Sequence, residues 1–150
     1  MYITDFYISL IIGLLLSLIV TEIFGVIPGG VIVPGYLAIV CNTPSIIILS
    51  FLISFIVFGI TKYILPKFVI LYGRRRFVTL MVLSILIKLS FELLFPVIPF
   101  VTFEFRGIGV VVPALIANCY FKQGVKLTFL STIIVTSLTF GIVSVLYYFI

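Results

Sequence analysis

Long apolar runs, broken at wide intervals by one or two charges, organise this chain. Residues 6–21, 23–61, 77–87, 107–121 and 127–150 contain no Asp, Glu, Lys or Arg. A helix needs about 20 predominantly apolar residues to cross a hydrocarbon core of roughly 30 Å. Four stretches suit that length: 6–24, interrupted only by Glu22; 46–63, with Lys62 near its end; 77–95, carrying Lys88 and Glu92; and 127–150. The pattern predicts an all-α integral membrane protein with about four long transmembrane helices.

Two further apolar stretches are too short or too broken to be ordinary spans. Residues 25–40 hold Pro28, Gly29, Gly30, Pro34 and Gly35, and residues 107–118 hold Gly107, Gly109 and Pro113. Proline removes an amide donor and glycine loosens a helix, so both read as broken, re-entrant or half-spanning segments. Broken backbone at membrane depth survives only where protein buries it or where it lines a wet cavity.

The two stretches also resemble each other. Gly30-Val-Ile-Val-Pro-Gly-Tyr-Leu-Ala38 aligns without gaps to Gly109-Val-Val-Val-Pro-Ala-Leu-Ile-Ala117, with five of nine positions identical at an offset of 79 residues. That offset carries the first long helix roughly onto the third, and the second onto the fourth. The chain thus reads as one polytopic membrane domain, 1–150, with an internal two-fold duplication whose halves cover about 1–70 and 77–150. Interrupted apolar segments at matching places in two halves point to a site at the repeat interface.

Composition makes a soluble fold untenable. The chain is 64% hydrophobic and 9% charged, against about 45–50% and 25% in soluble domains. Lys62, Lys67, Arg74, Arg75 and Arg76 gather at the centre of the sequence, which places the central loop in the cytoplasm by the positive-inside rule. The shortness of the proline stretches favours four crossings, with both termini cytoplasmic and Arg106, Lys122 and Lys126 outside. Charge counting favours six, with Lys122 and Lys126 on the basic side; we take four as the working expectation. The two cysteines, Cys41 and Cys119, read as buried free thiols, and histidine is absent.

Few residues are candidates for chemistry. Arg74, Arg75 and Arg76 suit contact with an acidic partner or a polyanion, since the guanidinium fork pairs with carboxylates; the bland alternative is a topology anchor. Glu22, Lys88, Glu92 and Glu104 are ionisable groups within or beside apolar segments, and such groups mark a pathway or an internal pair. Lys88 and Glu92, four residues apart, share a helix face and can pair. Arg106 follows Glu104 at the mouth of the second proline stretch. No nucleophile triad, phosphate-binding loop or zinc spacing occurs, so no catalytic residue, metal ligand or bound cofactor is expected, and no nucleic-acid contact.

Four segments together resemble the membrane subunit of poly-gamma-glutamate synthase, the PgsC/CapC family: Pro28-Gly-Gly-Val-Ile-Val-Pro-Gly-Tyr-Leu-Ala38, Leu71-Tyr-Gly-Arg-Arg-Arg-Phe77, Phe105-Arg-Gly-Ile-Gly-Val-Val-Val-Pro-Ala-Leu-Ile-Ala-Asn118 and Lys122-Gln-Gly124. The resemblance implies a multi-pass protein of the bacterial cytoplasmic membrane that takes part in making and exporting an anionic capsule polymer. It implies a cytoplasmic ATP-dependent ligase partner, which would hold the ATP and divalent metal, and a membrane-anchored export partner. On this reading Arg74–Arg76 and Arg106 meet polymer or partner, and the two proline stretches form a gap for the polymer. A self-contained small transporter is the rival reading.

Overall fold

The computed structural model describes residues 3–70, 72–94 and 106–150, the side chains of residues 3, 4 and 106–109 aside. These residues form α1 Ile3–Phe24, α2 Val33–Ile39, α3 Pro44–Gly59, α4 Arg74–Leu94, α5 Arg106–Gln123 and α6 Val125–Phe149. A 3-10 turn, Val40–Asn42, extends α2, and α3 runs on through a π-helical turn, Ile60–Ile64, into a 3-10 turn, Leu65–Lys67. Four helices are long and apolar enough to cross a membrane: α1, α3 with its extension, α4 and α6. The molecule is a helical membrane protein.

Its packing reverses the soluble pattern. Bulky apolar side chains such as Ile11, Leu15 and Ile19 on α1, or Leu130, Ile134 and Leu138 on α6, point outward. The inner faces of the long helices carry small and hydroxylated residues instead. On α1 these are Ser9, Gly13 and Ser17; on α3, Ser50, Ser54, Val57 and Thr61; on α6, Thr128, Thr132, Val135 and Thr139. Lipid tails are as apolar as leucine, so helices gain nothing by hiding leucine from them. Close backbone approach and hydroxyl bonds hold them together instead. The hydroxyls of Ser50, Ser54, Thr128, Thr132 and Thr139 each donate to the carbonyl four residues earlier, which satisfies them without a partner helix.

At the centre lie α2 and α5. All seven residues of α2 are buried, and Val33, Tyr36, Leu37, Val112, Ile116 and Tyr120 form one continuous core. Helix α2 packs on α1 and α6, while α5 packs on α4 and α3. The twin proline stretches are therefore the interior of the bundle.

The two stretches differ from the expectation of matching breaks. The first is broken as expected, with irregular backbone before a short helix that Pro34 starts. The second is not: α5 runs unbroken for 18 residues with Pro113 inside it. A proline leaves a helix carbonyl unmet, but a hydroxyl from a neighbouring helix can relieve the disturbed turn. The carbonyl that Pro113 deprives is that of residue 109; one residue on, the Ser84 Oγ of α4 donates to the Val110 carbonyl at 2.9 Å. Ser9 of α1 makes the comparable bond to the Gly35 carbonyl at 3.2 Å, again across 26 residues of sequence.

Four helices of crossing length are present as expected, but Lys122 and Lys126 do not lie opposite the central arginines. Residue 27 is bonded to Gln123 at the end of α5, whereas Asn42 borders a cavity with Asp5 and Tyr147, near the chain termini. Residues 25–42 therefore run from one end of the bundle to the other. Helix α5 traverses too, since Val110 meets Ser84 well along α4 while Phe121 meets Arg76 in its first turn. Lys122 thus shares the end that holds Lys62 and Arg76. Only seven of residues 25–42 are α-helical; those before them turn irregularly, with Gly25, Gly29 and Gly30 at positive φ.

The tightest approach is between α1 and α2. A methyl on Gly13 would overlap the Gly35 backbone, and one on Gly35 would sit 3.0 Å from the Leu10 Cα. Glycine at both positions is what lets α2 lie against α1. Replacing Gly13 by valine is expected to destabilise the fold by about 3 kcal/mol, the upper end for overpacking, read as a loss of thermal stability in detergent. Gly141→Ala, where nothing lies within 4 Å of the added carbon, is the control and should melt like the wild type.

Candidate functional site

Two features invite attention: the seam where the proline stretches meet, and the end of the bundle that gathers basic side chains. The seam begins where α1 stops. Gly25, at φ +67°, bonds its N–H to the Thr21 carbonyl and turns the chain inward. From there to Ile32 the backbone has no helical ladder, so its polar groups must be met individually. Gln123 meets two of them. Its Oε1 accepts from the Ile27 N–H at 2.9 Å and its Nε2 donates to the Ile27 carbonyl, so one side-chain amide pairs with a backbone residue as a neighbouring strand would. The same Nε2 lies 3.1 Å from the Thr128 hydroxyl of α6.

Gly29 then passes against α6. It has φ +66°, and a Cβ there would stand 2.8 Å from the Thr132 hydroxyl, so both conformation and space require glycine. Along this stretch Pro28, Gly29, Pro34 and Gly35 are buried, with Gly30 partly so. The interior they reach is filled rather than hollow: Tyr36 and Ile116 are wholly buried and Tyr120 nearly so.

The basic end is built on an aromatic stack. Phe58 of α3 and Phe121 of α5 have ring centroids 4.8 Å apart. Lys62 places its ammonium 5.3 Å from the Phe58 ring, and Arg76 its guanidinium 5.0 Å from the Phe121 ring. Cations over ring faces gain electrostatic stabilisation. Helix α4 thereby divides the three arginines. Arg74 and Arg75 are exposed in its first turn, while Arg76 is turned inward and half-buried. Lys67, Lys122 and Lys126 are exposed at the same end.

The remaining candidates are scattered. Glu22 is exposed in the last turn of α1; on α4, Lys88 is half-buried and Glu92 exposed one turn further on. Arg106, Gly107 and Gly109 lie in the first turn of α5, and Glu104 lies outside the described residues. The fold brings Pro28, Gly29, Gly30, Pro34, Gly35 and Pro113 into one interior and does not bring Glu22 together with Lys88 and Glu92. Cys41 and Cys119 are both free, the second buried.

With this geometry in view, comparison with known proteins is decisive. The pattern of the family described as Capsule biosynthesis CapC matches residues 12–129. The chain is also 49% identical over 147 residues to the PGA biosynthesis protein CapC of Bacillus subtilis (strain 168), covering 98% of this chain and 99% of that protein. This chain belongs to the CapC family. A second CapC relative, the capsule biosynthesis protein CapC of Bacillus anthracis, is 46% identical over 149 residues, covering 99% of this chain and all of that protein. No solved structure matches the chain.

The family match, over residues 12–129, takes in both the seam and the basic end of this chain. The residue that sequence reasoning missed is Gln123. It stands in the recognisable Lys122-Gln-Gly124 segment, but its partner lies 96 residues away. The available signal was an amide side chain at the close of an apolar run, beside a glycine. Replacing Gln123 by leucine strips the Ile27 N–H of its partner and leaves the Ile27 carbonyl with the Gly29 N–H alone, in a partly buried setting. We expect a loss of about 3 kcal/mol, measured as a lower melting temperature of the purified protein, while Lys122→Leu, one residue away and exposed, changes it little.

Proposed function

We propose that this chain is the membrane subunit of a poly-gamma-glutamate synthase and export complex, and that its basic end is the cytoplasmic surface on which an ATP-dependent amide ligase works. The observation that carries the reading is the asymmetry of charge. Lys62, Lys67, Arg74, Arg75, Arg76, Lys122 and Lys126, seven of the nine basic residues, lie at one end of the bundle. The positive-inside rule puts that end in the cytoplasm, with both termini on the far side of the membrane. Capsule or PGA biosynthesis is the role in the names of two full-length relatives, and it suits a chain whose exposed arginines would attract a polymer of carboxylates.

Arg74 and Arg75 are the residues we assign to that contact. The ligase would bring ATP and its divalent metal, and a membrane-anchored partner would complete export. Because the seam is filled by Tyr36, Ile116 and Tyr120, passage of the polymer would require the seam to part, or would run along the outer face beside the export partner.

We also infer that the chain arose by duplication, with its halves in opposite orientation. The inner face of α3 reads Ser50, Ser54, Val57, Thr61 and that of α6 reads Thr128, Thr132, Val135, Thr139, the same spacing of hydroxyl and valine. The exchange of partners between α2 and α5 supports it. Opposed repeats around a central seam also favour the rival reading, a transporter acting alone. Vesicles holding only this chain, and passing labelled glutamate oligomers, would transfer the assignment to that class.

Two outcomes are expected in cells. A reporter fused after residue 150 reads outside, and one inserted at residue 73 reads inside; the opposite pattern rejects the orientation. The double variant Arg74→Gln, Arg75→Gln remains in the membrane but recovers about fivefold less ligase on co-purification, in keeping with lost charge at an interface rim, and surface polymer falls with it. Unchanged recovery and unchanged polymer reject the docking role.

A further inference from the structure

The inward turn of Arg76 has a consequence separate from the function proposed above. Between the end of α3, the segment that follows it and the start of α4 lies a cavity of about 310 Å³, bordered by Thr61, Lys62, Tyr72, Arg76 and Phe121. Its polar groups are incomplete. The Arg76 Nε is buried with no hydrogen-bond partner, and so is the hydroxyl of Thr61, a residue only 2% exposed. Thr139, which occupies the matching place on α6, bonds to the carbonyl four residues before it. Thr61 sits in the π-helical turn, where the wider winding changes that register. Buried donors are rarely left unmet, and each such case calls for an unseen partner. Among the described residues no carboxylate borders the cavity. What it lacks is an acceptor with negative charge.

The rim says what kind of anion fits. Val69, Ile70 and Tyr72 also border the cavity, and they are exposed by 50%, 74% and 79%. Phe68, next to them, is 81% exposed. A segment with that many bare apolar side chains is unsuited to water and well suited to the boundary between acyl chains and headgroups. A soluble polyanion has no use for such a rim, whereas an amphiphile does. We propose that this cavity is a binding site for the headgroup of an anionic phospholipid. Arg76, held in place by Phe121, and Thr61 donate to the phosphate; Lys62 supplies a second positive charge; and Val69, Ile70 and Tyr72 border the acyl chains. Basic pockets between transmembrane helices on the cytoplasmic side are known lipid sites in general.

Native mass spectrometry of the full chain in detergent, titrated with phosphatidylglycerol or phosphatidylcholine, tests this. We expect one phosphatidylglycerol retained per chain, with a preference over phosphatidylcholine of about fivefold or more, the effect of one to two headgroup–cation interactions. Arg76→Gln and Thr61→Val should each lose most of that preference, and Arg76→Lys, which keeps the charge but has no Nε, should lose part of it. The Arg74→Gln, Arg75→Gln variant should retain it. Thermal melts of each variant confirm that the bundle is intact. Equal binding of the two lipids overturns the proposal. So does a full preference in Arg76→Lys, or a loss in the Arg74, Arg75 variant as large as in Arg76→Gln, since either would mean diffuse charge rather than a site. Displacement of phosphatidylglycerol from the wild type by inorganic phosphate or by a soluble glutamate oligomer would assign the cavity to a free anion and overturn the lipid reading.

Discussion

Hydrocarbon offers no hydrogen bonds, and that one fact governs how this chain can be built. Every backbone amide and carbonyl at membrane depth must find its partner within the protein. Regular helices solve the problem by themselves. The stretch from Gly25 to Ile32 does not, and it can exist only because the second half of the chain comes to meet it. Gln123 pairs with Ile27, Thr132 leaves room for Gly29, and Ile116 closes the space beyond. The irregular segment is thus the point at which the two halves become one structure.

The same constraint explains the choice of side chains on the helices. With lipid outside, large apolar residues are free to face outward, and the inner faces are left for what lets backbones approach. Gly13 against Gly35 is the extreme case. The serines and threonines serve a different end. Most return their hydroxyls to their own helix, while Ser9 and Ser84 reach across to the two proline-bearing helices. Charge, Lys88 of α4 aside, is then gathered toward the ends, and its concentration at one of them gives an otherwise uniform object a direction.

Much of this is legible in the sequence, though not evenly. The four long helices follow from run lengths alone, because a span is a local property of composition. That the twin proline stretches occupy the interior is legible from the same rule about broken backbone. The second stretch is misread because proline and glycine are local arguments, whereas α5 runs on through Pro113 between α3 and α4, which pack against it. The path of the irregular first stretch is not legible in the same way, since it depends on contacts such as Gln123 with Ile27 that only the fold supplies. The split of Arg76 from Arg74 and Arg75 depends on helical phase and on Phe121, some 45 residues later, which no reading of a basic cluster provides. Gln123 belongs to the same class: its meaning resides in a partner that only the fold supplies.

The junction between α5 and α6 also constrains how such a protein can change. A single residue, Gly124 at φ +91°, joins the two helices, and both neighbours in sequence are already helical. So short a hinge has no slack, and it couples the amide that grips residue 27 to the helix that lines the opposite wall. An insertion at this joint would therefore dislodge the grip and the wall at once.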